Sequence, residues 1–412
     1  MNKSDILILD GDHKNSLAIV RHLGQTGNYR QDIVAHNKQS IALFSKYVNQ
    51  KFLLPSPKKE PEAFYVQLVE LLKRNRYKAL LPVSFKTFQI CSLHREEIRQ
   101  YTHLTITTSE NILLASSKIR TYNLAQELKI PIPETIVLNH PEEIESVHIT
   151  YPCVIKAPEE MGANVVEYAH DRKEMIEKYH KLCERYNFSE TWPVVQQYIQ
   201  GKGYGFFAYY EKGMCKDFFM HKRLREYPIS GGASTLAESY SDKKLMQHGK
   251  RILDYLRWEG VAMVEFKQDE RTGIFYLMEI NAKFWGSLDL ALVCGVNFPR
   301  MMIEGTEEKR VYEKSFPQGK RFQWILNGDL FHLLERPRIF GSFFKEVFRT
   351  KSDFWIRDPF PNLYQLAYIP VHYYKKWKKK YEVGVAFSGI TNTTYHFENI
   401  KFDSEGKYHI EV

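Results

Sequence analysis

Three polar residues close an apolar run near position 280. In "YLMEINAKFWGS" (Tyr276–Ser287) a carboxylate (Glu279), an amide (Asn281) and an ammonium (Lys283) stand at alternate positions. Alternate positions of an extended chain point to one face. A face so built suits a metal or an anion; the plain alternative is a polar sheet edge turned to water. A second carboxylate, Glu265, lies in the preceding run "GVAMVEFKQ", joined to the first by the tight turn "DERTG". A regular hairpin about residues 269–273 puts both glutamates on one face. Opposed like charges destabilise a hairpin unless a cation lies between them. Mg²⁺ takes oxygen ligands and commonly uses one or two carboxylates plus substrate phosphates.

Other polar residues interrupt apolar stretches upstream. Lys156 in "CVIKAP" has apolar neighbours, and a half-buried ammonium is costly unless an anion meets it. Lys118 opens a helix, where exposed N–H groups already favour phosphate. The loop "APEEMGANVV" could cover phosphates with its backbone, though it carries one glycine only. "VVQQYIQG" reads as an apolar strand with a polar end, able to offer backbone groups to an adenine edge. "HKRLREYPISGG" gathers His221, Lys222, Arg223 and Arg225, with the two arginines expected on one strand face. Guanidinium forks suit phosphate or carboxylate. A solvated charged face is the bland reading of that run.

These residues need a scaffold, and the hydrophobic pattern supplies one. "DILILD", "DIVAH", "KFLLPS" and "ALLPVS" read as strands. "SLAIVRHLG" and "PEAFYVQLVELLKRN" read as helices between them, the first stopped by Gly24. This βαβ rhythm predicts a small parallel sheet through about residue 110. Gly11 follows the first strand without completing a dinucleotide-binding glycine pattern. Further on come the strand "YPCVIKAP", the exposed helix "DRKEMIEKYHKLCERYN", three strands with turns at Gly201 and Gly213, the helix "KLMQHGKRILDYLRW", and the hairpin.

The whole chain sets limits. Its 412 residues, 43% hydrophobic and 26% charged, suit a soluble protein of two to four domains or subdomains. "MNKSDILILDGD" reads as a first strand rather than a signal peptide. Cys91, Cys153, Cys183, Cys215 and Cys294 are scattered without a Cys-x-x-Cys pair, which argues against disulfides and structural zinc and for the cytoplasm. The net charge of +9 is concentrated: residues 336–380 hold eleven Lys or Arg against three Asp or Glu. The main body therefore gives no reason to expect nucleic acid, whereas the basic-aromatic tail could touch an anionic surface.

Taken in order, Lys118, Lys156, "VQQYIQG", "HKRLREYPISGG", "GVAMVEF" and "MEINAKFWGS" resemble the ATP-grasp superfamily over about residues 1–305. The likeness is strongest to its carboxylate–amine ligase branch. The resemblance implies a mixed α/β ATP-grasp fold. Its parts would be an N-terminal Rossmann-like domain (1–112), a two-lobed ATP-binding body (113–305) and a C-terminal basic-aromatic extension (306–412). It further implies that Lys118 and Lys156 hold ATP phosphates and that Gln196, Gln197, Tyr198 and Ile199 form the adenine hinge. Glu265 and Glu279 would ligate Mg²⁺, or Mn²⁺ in its place, with Asn281 beside them. Arg225 would neutralise phosphate or acyl-phosphate charge.

The implied reaction phosphorylates a carboxylate and lets an amine displace the phosphate, with an amino acid or small peptide as substrate. Two positions depart from the family pattern. Gln197 stands where the hinge usually has Glu, and Lys283 where E-x-N-x-R has Arg. Lysine keeps the charge but loses the two-point fork. Two rival readings follow: a nucleotide-binding regulatory protein without turnover, and an anionic-surface binder acting through "PVHYYKKWKKKYE".

Overall fold

The computed structural model describes residues 4–157, 166–186, 192–229, 231–305, 316–367, 400–402 and 408–410. Most of the expected phosphate loop (158–165), Ser230 and the basic tail 370–382 lie outside the described residues. The chain divides into two compact units, residues 1–365 and 366–412.

Among the described residues the first unit holds three sheets. β1 (Ser4–Ile8), β2 (Tyr29–Ala35), β3 (Val48–Leu53) and β4 (Ala79–Leu81) form a parallel sheet in the order β3-β2-β1-β4. Ile6, Leu7 and Ile8 are all fully buried, as expected where helices cover both faces of a parallel sheet. The helix Pro61–Arg74 begins with proline at its first position, where the missing N–H costs nothing. The helix Lys14–Thr26 runs past Gly24 and stops at Gly27, which takes the left-handed conformation (φ 68°). Gly24 serves packing instead: a Cβ there would lie 2.4 Å from the Tyr47 ring.

A smaller antiparallel sheet follows. β5 (Thr135–Ile136), β6 (Cys153–Lys156), β7 (Val166–Ala169) and β8 (Val194–Gln197) are ordered β5-β8-β6-β7. It has its own core, with Ile155 and Val195 against Met175 and Tyr179 of the helix Arg172–Tyr186. The largest sheet contains β9 (Gly201–Glu211), β10 (Met214–Tyr227), β11 (Ala233–Ser239), β12 (Gly260–Asp269), β13 (Phe275–Asn281), β14 (Arg321–Gln323) and β15 (Lys351–Ser352). Their order is β13-β12-β9-β10-β11-β14-β15. Gly201 begins β9, and Gly213 (φ 73°) makes the turn into β10. Phe206 to Tyr210 of β9 are all fully buried, so this strand is covered on both faces.

Long-range polar contacts tie the residues beyond 316 to the first sheet's helices. Arg21 is 2% exposed. It donates to Asp358 Oδ2 (3.0 Å), the Asp358 carbonyl (2.9 Å), the Asp353 carbonyl (3.2 Å) and Asn362 Oδ1 (2.8 Å). Asp358 also accepts from Ser45 Oγ (2.8 Å) and the Lys46 N–H (2.9 Å). The second unit contains a two-stranded antiparallel pair, β16 (Ile400–Phe402) and β17 (Tyr408–Ile410).

Candidate active site

The hairpin β12–β13 places its acids as the alternation predicts. Glu265 and Glu279 are direct cross-strand partners, and Met263 faces Asn281. Asn281 donates its side-chain amide to Glu279 Oε1 at 2.7 Å. Burial opposes the charge of Glu279, but this amide and the cations of Lys118, Lys283 and Arg223 outweigh it and hold the carboxyl below its ordinary range. Glu265 goes the other way. Burial and the facing Glu279 push it up to about 7, although Arg223 Nη2 lies 2.5 Å from Oε2. Two buried carboxylates facing each other are oxygen ligands of the kind that could hold a hard cation. Among the described residues no cluster of three or more His, Cys, Asp or Glu could hold a metal. Carboxylate and amide oxygens suit a hard cation such as Mg²⁺, whereas zinc favours nitrogen and sulfur ligands.

The smaller sheet contributes the opposite charges. Lys156 ends β6, and its Nζ donates to Gln196 Oε1 at 2.8 Å. Burial and the nearby Lys118 push it down to about 8, against the pull of Glu279 and Glu265. Lys118 is the first residue of the helix Lys118–Glu127, whose cap Ser117 accepts from the Arg120 N–H. That helix is anchored on β13 through the Tyr122 hydroxyl, which donates to the Met278 carbonyl at 3.0 Å.

Gln196 to Ile199 run from the smaller sheet toward the larger one. Gln196 is buried and donates to Thr135 Oγ1 (2.8 Å). Gln197 accepts from the Glu134 N–H (3.4 Å), Ile199 is buried, and the Tyr198 ring lies under Lys267 Nζ at 4.3 Å. Lys267 escaped the sequence reading. Its signal was its position, two residues beyond Glu265 on β12, and burial lowers its pKa.

The basic run on β10 comes apart into separate partners. His221 is fully buried, bonds Ser287 Oγ at 2.7 Å, and is pushed down to about 3 by burial and Arg223, so it is neutral. Lys222 pairs with Glu238 (2.7 Å). Arg223 reaches Glu265, and Arg225 pairs with Asp329 at 2.8 Å over the Phe343 ring. The two arginines do not share a face as expected, because a bulge shifts the register between them. Arg223, not Arg225, stands beside the acid pair. Room for it comes from Gly203 on the intervening strand β9, where a Cβ would lie 2.9 Å from Arg223 Cδ. Lys283 follows β13, with its ammonium 5.7 Å from the Phe85 ring centre. Asn15 fixes the same segment by donating to the Phe284 carbonyl at 3.2 Å.

Arg223, Glu265, Glu279 and Lys283 lie in a stretch that matches a known family. Residues 219–327 match the model of a family described as ATP-grasp in the biosynthetic pathway with Ter operon. The D-aspartate ligase of Enterococcus faecium (strain Aus0004) is 23% identical over 345 residues, covering 76% of this chain and 79% of that protein. Among solved structures, a biotin carboxylase–beta-gamma-ATP complex from Campylobacter jejuni superposes with a TM-score of 0.61 at 16% identity, over 78% of this chain and 74% of that one. An L-amino acid ligase from Bacillus licheniformis gives 0.60 at 14% identity, over 78% and 79%. Fold and family match agree: the chain has the mixed α/β fold of these ATP-grasp structures, and residues 219–327 match an ATP-grasp family.

Proposed function

We propose that this chain is an ATP-dependent ligase that joins the carboxylate of one small molecule to the amine of another. One observation carries the reading: Glu265 and Glu279 oppose each other on neighbouring strands, with the cations of Arg223, Lys118 and Lys156 acting on them from the surrounding elements. Glu265 and Glu279, with Asn281 beside them, would hold Mg²⁺, which when bound screens phosphate charge. Lys118 and Lys156 would hold phosphate oxygens, and Gln196 to Ile199 would receive the adenine.

The role first expected of Arg225 passes to Arg223, which is close enough to exchange its carboxylate partner for a phosphate. Lys283 would meet the charge that develops during transfer. A substrate carboxylate oxygen attacks the γ-phosphorus, and the bond to the ADP oxygen breaks. The amine nitrogen then attacks the acyl carbon, the bond to phosphate breaks, and the nitrogen gives up a proton. Fixed cations stabilise the charge spread over the phosphoryl oxygens in the first step.

The likeness to a D-aspartate ligase makes an amino acid the first substrate class to try, with D-aspartate foremost. A cytoplasmic setting suits five free cysteines and an ATP substrate. No helix among the described residues is long and apolar enough to cross a membrane. The test is ADP release with Mg²⁺ over a panel of D- and L-amino acids paired with amines and carboxylates, with the product identified by mass. ATP binding without ADP release from any pair would favour a regulatory nucleotide binder, the reading that Lys283 in place of arginine allows.

A further inference from the structure

Residues 334–363 turn their acids inward and their bases outward. Glu346 receives Arg321 at 2.6 Å, Asp353 accepts the Leu326 N–H at 3.2 Å, and Asp358 holds Arg21. All three acids are less than a tenth exposed. Arg336, Arg338, Lys345, Arg349, Lys351 and Arg357 are all exposed. Glu335 is the one acid of this segment turned to solvent, and it accepts from the Tyr227 hydroxyl at 3.1 Å. The formal composition of the segment thus understates how cationic its surface is.

Apolar side chains share that surface. In the helix Phe340–Arg349, Phe343 and Glu346 pack inward. Phe340, Phe344 and Phe348 recur every fourth residue, so they form one stripe. They are 62%, 40% and 84% exposed, and the rings of Phe340 and Phe344 lie 4.7 Å apart. Lys345 and Arg349 each follow a stripe phenylalanine by one position, which sets cations along its flank. Ile356 (83% exposed) and Phe360 (63%) continue the apolar exposure. A phenylalanine stripe edged with bases is the makeup of a helix that lies in a lipid–water interface.

We propose that this face rests on an anionic lipid surface, with its phenylalanines in the headgroup layer and its bases against lipid phosphates. Charge complementarity selects the occupant. A second copy of the same face would set cations against cations. A duplex nucleic acid would meet the bases and leave the stripe in water. The inference does not depend on the ligase reading.

Cosedimentation of the full-length protein with vesicles tests it. Binding is expected to vesicles of equal parts phosphatidylglycerol and phosphatidylcholine, to weaken with salt, and to be absent with phosphatidylcholine alone. Phe344→Ser with Phe348→Ser should weaken binding about tenfold or more. Lys345→Glu with Arg349→Glu should weaken it at least about thirtyfold, the effect of two bases near an anionic surface. Neither pair should unfold the protein or move ATP affinity. No binding to anionic vesicles would overturn the proposal, as would binding that survives both pairs. So would binding lost only when the lysines of 375–380 are neutralised, or a dimer or RNA complex that the serine pair dissolves.

Discussion

Lys156 keeps its proton by a narrow margin. Burial and Lys118 bring it down to about 8, and a phosphate contact needs the ammonium. The kcat/KM for ATP is expected to fall as pH rises through about 8. Lys156→Arg should move that fall upward, because guanidinium does not titrate in this range. An unmoved profile would detach Lys156 from ATP. The same shift works against folding. With a folded pKa near 8 and a reference value of 10.5, the buried ammonium costs stability at neutral pH, and the cost fades as pH rises between those values. Lys156→Met should therefore raise the thermal midpoint at pH 7 while weakening ATP binding, and calorimetry reads both.

Glu279→Gln should abolish ADP formation while the protein stays folded with a somewhat lower thermal midpoint, since the charge held by Lys118, Lys283 and Arg223 is lost; turnover at saturating Mg²⁺ would refute the acid pair as a metal site. The two arginines separate in the same way. Arg223→Ala should cost turnover, whereas Arg225→Ala should cost about 3 kcal/mol of stability by leaving the buried Asp329 without its cation and with only the neutral donors Thr235 and Gln323. Denaturant midpoints beside ADP rates distinguish them, and the reverse pattern would return the phosphate role to Arg225. The acids were legible because alternation on a hairpin is a local property. The arginine faces were not, because the bulge on β10 depends on its pairing with β11.

Strands and helices were legible to different depths. The parallel sheet follows from apolar runs alternating with helices, and the hairpin from alternation and turn residues; both are present. The stop of the helix Lys14–Thr26 was misplaced because a glycine reads alike whether it ends a helix or admits a neighbour. Gly24 admits Tyr47, a contact made across the fold. Strands of two or three residues, such as β14 and β15, have no period to read. Gly203 gives the sharpest test at this scale. Gly203→Ala puts a methyl against the flexible Arg223 side chain, which can yield. Stability should change by about 1 kcal/mol or less, while Arg223 moves and ADP formation falls. Full turnover in this variant would mean that the path of Arg223 across β9 has no part in catalysis.

Across the whole molecule, composition hid one thing. The aromatic and basic shift after residue 305 suggested an appended extension, but residues 316–365 belong to the first compact unit and supply β14 to the large sheet. Contacts between residues more than 300 positions apart leave no local trace in a sequence. Asp358→Ala should cost about 3–5 kcal/mol, because it strands the buried Arg21 guanidinium. Urea unfolding measures this, and a loss under about 1 kcal/mol would show that the Asn362 and carbonyl partners suffice.

That knot of bonds also sets a schedule for the newborn chain. Arg21 leaves the ribosome 337 residues before Asp358. At about 5–20 residues per second, the wait is roughly 20–70 s. Throughout it the first sheet can gather its strands, but the helix carrying Arg21 has no anion to receive it. The N-terminal sheet is thus made first and finished last, and a ribosome stalled before codon 358 should yield a product that chaperones retain.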